Sequence, residues 1–171
     1  MAAYLWHATL GATGFYNRWA SASELDVDRI VFVCAGNICR SPFAELVARR
    51  YDLSAASVGL STRGGDPADP SATRAAAAMG ISLDAHRSAR IDSLEITDRD
   101  LLVCMEPSQA RQVERIDGVK HVVLLGMLGT VERPYIPDPF GRSDDYFLTC
   151  FDWIASSVSE LADCLDRAKI R

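Results

Sequence analysis

The stretch Arg29-Ile30-Val31-Phe32-Val33-Cys34-Ala35-Gly36-Asn37-Ile38-Cys39-Arg40-Ser41-Pro42 decides how this chain folds. It opens with a β-branched and aromatic run, the composition of a buried strand. It then turns through small residues and meets a helix start, with Ser41 the expected N-cap and Pro42 the first helical residue, because the first backbone donors of a helix lack partners. Strand, loop and helix start in that order make an anion cradle: successive N–H groups turn inward, and the helix behind them adds partial positive charge. Such a loop holds a phosphate. Cys34 stands at its mouth and Arg40 at its far end. A cysteine in that field reads as a thiolate nucleophile aimed at a bound phosphoryl group.

Outward from this stretch the pattern repeats. A helix is expected over 43–51, a second strand over 55–60, then the breaker-rich loop Ser61-Thr62-Arg63-Gly64-Gly65-Asp66-Pro67. Asp69-Pro70-Ser71 starts a helix through the alanine run to Met79, and Gly80 falls where a left-handed residue closes a helix. A third strand is expected over 100–105, a helix over 107–116 and a fourth strand over 121–125. Phe147, Cys150, Ile154, Val158, Leu161, Leu165 and Ala168 step by three or four, the stripe of one long amphipathic helix. Strands alternating with helices imply a single three-layer α/β domain: a four-stranded parallel sheet, helices on both faces, and the phosphate-binding loop after strand one. Ligands of such sheets bind at the carboxyl ends of the strands. The connection after strand four emerges there and carries Asp138 between Pro137 and Pro139, which restrict its backbone. A carboxyl held over an anion site is a candidate general acid.

Composition bounds the function. The chain has 171 residues, 49% hydrophobic and 24% charged, enough for one core. A net charge of −5 argues against nucleic-acid binding or a polybasic membrane role. Five cysteines without a CxxC pair, with Cys104, Cys150 and Cys164 at core-like spacing, fit reduced thiols of a cytoplasmic protein better than a disulfide scaffold or zinc site. No apolar run is long enough to span a bilayer. Residues 1–28 are rich in aromatics (Tyr4, Trp6, Phe15, Tyr16, Trp19) but lack the basic start of a signal peptide. With Phe15, Trp19 and Ala22 at helical spacing, they read as a short packed helix or a tail.

Val33 to Pro42, followed by Ala44-Glu45 and the distant Asp138-Pro139, resembles the low-molecular-weight protein tyrosine phosphatases of the bacterial type. The likeness runs from about Arg29 to the C-terminus and takes in Gly65-Asp66-Pro67-Ala68-Asp69-Pro70, His86-Arg87-Ser88 and Leu102-Val103-Cys104-Met105-Glu106. It divides the chain into an extension, 1–28, and a phosphatase domain, 29–171. It implies that Cys34 attacks phosphotyrosine to give a cysteinyl-phosphate, that Arg40 grips the oxyanion bidentately, and that Asp138 protonates the leaving phenolate and then activates water. Ala35, Gly36, Asn37, Ile38 and Cys39 would cradle the phosphate, with Asn37 bracing the loop and Gly36 supplying a positive φ; Ser41 would donate to Cys34. Phe140 would wall the aryl ring. No metal or cofactor is implied.

By the same resemblance Cys39 either pairs reversibly with Cys34 under oxidation or is a passive loop residue, the two readings standing open, and the partner is a phosphotyrosine protein, such as a tyrosine kinase of polysaccharide export. Two departures stand out. Phe140-Gly141 replaces the tyrosine pair that animal members carry there, and Arg63 gives the rim after strand two a basic character. An arsenate reductase on the same scaffold is the alternative, but it needs relay cysteines, and residues 80–100 contain none. A non-hydrolysing phosphotyrosine reader is the other, although every catalytic group is present. Oligomeric state stays open.

Overall fold

The computed structural model describes residues 14–22, 25–129 and 131–169. Four strands, β1 (Arg29–Cys34), β2 (Ala55–Gly59), β3 (Asp100–Cys104) and β4 (His121–Leu124), pair in parallel in the order β2-β1-β3-β4. Four helices connect and close them: α1 (Arg40–Arg49), α2 (Pro70–Ala78), α3 (Pro107–Val113) and α4 (Asp144–Lys169). Side chains of a strand alternate between faces, and here both faces are buried. Ile30, Phe32 and Cys34 of β1 therefore join the core under α1, α2 and α4, while Val31 and Val33 join a second core with Ala110 and Val113 of α3.

The long stripe packs as its spacing predicts. Phe147, Cys150, Ile154, Val158, Leu161 and Leu165 of α4 are all buried, and Phe151 stacks on Phe43 of α1 at 3.9 Å between centroids. The Ala168 side chain lies outside the described residues. At the start of α2 the Asp69 carboxylate accepts from the N–H groups of Ser71 and Ala72, and Gly80 beyond it has φ +72°.

Several boundaries differ from expectation. Helix α1 starts at Arg40, with Cys39 at the cap position and no side-chain cap bond, so Ser41 is inside the helix rather than its cap. The hydroxyl expected to satisfy a helix donor is instead committed to Cys34. Strands β2, β3 and β4 each end one residue earlier than the sequence suggests, and α3 stops at Val113 in a run of turns.

The aromatic extension is also built differently. Asn17–Trp19 is a single 3-10 turn, too short for the α-helical spacing read from Phe15 and Trp19. A 3-10 turn aligns residues three apart, so Tyr16 and Trp19 are the buried pair, stacked at 6.0 Å in the core under α3, while Phe15 is exposed. Trp19 Nε1 donates to Glu114 at 2.7 Å. Tyr4 and Trp6 lie outside the described residues.

Candidate active site

Chain order sends β1 to β2 on one side and the next strand to the other, so the sheet switches direction between β1 and β3. Their carboxyl ends open a crevice there. Cys34 ends β1, the loop 35–39 follows, and Arg40 begins α1. Met105 and Glu106 leave β3 at the same edge. The segment after β4 is tied across it: Arg133 N donates to Gly126 O at 2.7 Å, and Ile136 N to Met105 O at 2.9 Å. A Cβ on Gly126 would stand 1.9 Å from Arg133 O, so only glycine permits this crossing. The second tie carries Asp138 over the loop.

Cys34, Ala35, Gly36, Ile38, Cys39, Arg40, Ser61, Asp138 and Phe140 line a pocket of about 240 Å³. Cys34 lies at its floor, only 3% exposed, with Ser41 Oγ 3.0 Å from Sγ and the Asn37 N–H donating to Sγ at 3.2 Å. Phe140, 61% exposed, and Ile38 are the large apolar side chains of the lining. Ser61, rather than the exposed Arg63, supplies the rim after β2, so the expected basic rim is not part of this pocket.

Asn37, fully buried, holds the loop in shape. It is Asn37 that takes the left-handed conformation, with φ +53°; Gly36 does not, which corrects the role read for that glycine. Asparagine tolerates this region because its short polar side chain can bond locally. Here Nδ2 donates to Ser41 Oγ and Ser57 Oγ, both at 2.9 Å, Oδ1 accepts from Ala89 N at 2.7 Å, and the main-chain carbonyl meets His86 Nε2 at 2.7 Å. Gly59 keeps β2 close to the loop: a Cβ there would meet Ala35 O at 2.8 Å.

Arg40 is 1% exposed. Its Nη1 donates to Ile136 O at 2.9 Å and reaches Glu106 Oε1 at 3.3 Å, and its Nη2 pairs with Asp138 Oδ2 at 3.0 Å. Nε is buried with no partner. Burial disfavours the guanidinium charge, yet Cys34, Asp138 and Glu106 around it outweigh that and hold its pKa above the usual value. The other loop cysteine behaves oppositely: burial, then the charges of Asp69 and Asp138, push the Cys39 thiol up, so it stays protonated. Burial likewise raises Cys104, and lifts Cys150 to about 12. Cys34, Cys39, Cys104 and Cys150 are buried thiols outside any disulfide.

Glu106 stands in a segment that carries the resemblance, but sequence reading missed its role at Arg40. It accepts from Gln109 Nε2 at 2.7 Å while holding Arg40, and Gln109 in turn accepts from Met105 N. The available signal was its place just beyond β3 at the switch of the sheet. Among the described residues, no cluster of three or more His, Cys, Asp or Glu could hold a metal ion, and no helix is long and apolar enough to cross a membrane.

Fold and pocket together define a parallel α/β protein whose pocket is lined by a cysteine–arginine loop. The chain belongs to the low molecular weight phosphotyrosine protein phosphatase family, whose sequence model matches residues 29–170. It is 33% identical over 142 residues to the low molecular weight protein-tyrosine-phosphatase Wzb of Salmonella typhi, covering 81% of this chain and 95% of that one. Etp of Escherichia coli strain K12 is 31% identical over 149 residues, covering 85% and 99%. Among solved structures, Wzb from Escherichia coli K30 in complex with sulphate superposes with a TM-score of 0.71 at 31% identity, covering 81% and 99%. The arginine phosphatase YwlE from Geobacillus stearothermophilus superposes equally well, at 0.71 and 27% identity, covering 83% and 95%.

Proposed function

We propose that Cys34, Arg40 and Asp138 are the machinery with which this protein tyrosine phosphatase hydrolyses its substrate, in the phosphatase domain 29–171 that follows the extension 1–28. The observation that carries the reading is the orphaned Nε of a buried arginine. Ile136 O and Glu106 anchor the Nη1 side of Arg40, which leaves the Nε/Nη2 edge as the one that faces an oxyanion. A buried donor without a partner costs free energy and calls for an acceptor. Two oxygens of a phosphoryl group satisfy that fork, joined by the N–H groups of residues 35–39.

The steps follow from this placement. Arriving phosphate takes Nη2 from Asp138, and the freed carboxylate takes up a proton from water. Cys34 Sγ attacks phosphorus, the bond to the aryl oxygen breaks, and Asp138 gives that oxygen its proton. Asp138 then removes a proton from water as it attacks the cysteinyl-phosphate. Inorganic phosphate leaves, and the sulfur departs into the contacts of Ser41 and the Asn37 N–H. Phe140 and Ile38 give the pocket apolar walls suited to an aryl ester. The substrate is a phosphotyrosine protein, a tyrosine kinase among the candidates, met in the cytoplasm.

The test compares hydrolysis of an aryl phosphate by the wild type and by Cys34→Ser. Wild-type turnover with loss of detectable turnover in the variant supports the mechanism. Activity surviving in Cys34→Ser overturns it. Release of phosphate from phosphoarginine but not phosphotyrosine peptides would reassign the substrate while leaving the nucleophile in place.

A further inference from the structure

A second pocket, of about 450 Å³, lies behind the phosphate loop at the outer edge of β2 and shares no lining residue with the active site. It exists because the sheet ends there. Strand β2 is outermost, and the segment that crosses its edge pairs with it only at the bridge of Gly59 with Arg90. Upstream of that bridge, one face of α1 (Pro42, Leu46 and Arg49, spaced by four and three), the edge of β2 and residues 82–94 stand apart as three walls.

Three of the groups that hold Asn37 are also walls of this pocket. Ser57 takes a hydrogen bond from the Asn37 amide, Ala89 donates to its Oδ1, and His86 meets its main-chain carbonyl. The loop that faces the oxyanion on one side is thus gripped from the second pocket on the other.

The chemistry of the lining selects an occupant. Leu46, Val58 and Leu94 provide apolar surface, and the volume suits a molecule of one or two rings. The charge of Arg49 is matched, since it pairs with Glu45 and donates to Ala55 O. Arg87 is different. Its hydrogen bonds go to the carbonyls of Asp84 and His86, and no carboxylate among the described residues faces it. His86 Nε2 must carry a proton because it faces a carbonyl, which leaves Nδ1 without a partner among the described residues. One uncompensated guanidinium beside an imidazole and apolar walls suits a planar monoanion.

We infer that this pocket is a second ligand site, for a small aromatic carboxylate, whose occupancy is felt by the phosphate loop through Ser57, His86, Ala89 and Asn37. An occupant that shifts or stiffens these three partners alters how firmly Asn37 is held left-handed, and hence how the loop N–H groups point. Such coupling is reciprocal: what the carboxylate does to oxyanion affinity, the oxyanion does to carboxylate affinity.

The experiment uses the full chain, 2-naphthoate as probe and 2-naphthamide as its neutral control. Inorganic phosphate is titrated first, read by amide NMR shifts at residues 34–40; failure at this step counts against the proposed function. With phosphate saturating, 2-naphthoate is then added, with dissociation expected on the order of 1 mM for a ligand of this size. The inference requires shifts at Ser57, Ala89 and Leu94, absent with the amide and lost in Arg87→Gln, whose basal turnover is unchanged. It also requires saturating 2-naphthoate to change phosphate affinity by about fivefold or more. Shifts confined to residues 34–40, binding indifferent to Arg87→Gln, or no binding at all overturns the site. Binding with unchanged phosphate affinity overturns the coupling.

Discussion

Two arginines bracket β1 and meet carboxylates in opposite ways. Arg29, at its start, faces Asp100 across the β1–β3 register and has its Nε/Nη2 edge fully used: Nε and Nη2 grip the two carboxylate oxygens at 2.8 Å, and Nη2 also donates to Glu95 O. Asp100 is completed by the N–H and hydroxyl of Thr97. Arg40, beyond the other end, is more deeply buried and less well served, with a bare Nε and an exposed partner in Asp138. Both clusters pair opposite charges, so pairing alone does not separate structure from function. What separates them is the Nε/Nη2 edge: in Arg29 it is filled by Asp100 and pins two strands, and in Arg40 its Nε waits for an acceptor.

That contrast can be broken at either end. The largest expected effect is on Asp138. Asp138→Ala should slow turnover of substrates with poor leaving groups by about 10²–10⁴, and activated esters far less, with stability unchanged. If turnover falls equally for all leaving groups and the protein loses stability, Asp138 is a second Asp100. Next comes Arg40→Lys, which supplies charge without the fork and should lose about 10²–10³ in kcat/KM. A lysine variant of near wild-type efficiency would show that the bare Nε carries no function.

The smallest effect belongs to the structural pair. Arg29→Ala should cost about 2–3 kcal/mol in chemical denaturation at pH 7 and leave kcat alone. Burial by itself would raise the Asp100 carboxyl, but Arg29 and Thr97 outweigh it and hold it below its usual value. A carboxyl depressed on folding stabilises above its unfolded pKa and loses that contribution as pH falls through the folded one. The gap between wild type and Arg29→Ala should therefore be full at neutral pH and close below about pH 4. A constant gap across that range would mean that the arginine contributes packing rather than charge.

Much of this was legible in order along the chain, and the reasons are local. Cys34, Arg40 and Ser41 fall within one strand–loop–helix unit, so their convergence needs no knowledge of the sheet. The α4 stripe is equally readable, because its period is the helix's own. Reading failed where tertiary partners override local preference. Ser41 looks like a cap, but the Cys34 sulfur and Asn37 amide claim its hydroxyl. Gly36 looks like the left-handed residue, yet the bonds around Asn37 make asparagine the one that bends. Glu106 reads only as the end of a resembling segment and Gln109 not at all, since their roles arise only where β3 and the segment tied to Met105 meet. Tyr16 rather than Phe15 is buried because a 3-10 turn, not an α-turn, lays the extension against the sheet.

The way Asn37 is held has a consequence for binding thermodynamics. Its left-handed backbone is held by four hydrogen-bonded contacts that the protein itself supplies, so the entropy cost of ordering this residue falls on folding rather than on oxyanion capture. Glycine at this position would accept the same φ and release every side-chain bond. It would leave a loop of the right shape that must find that shape anew in each encounter.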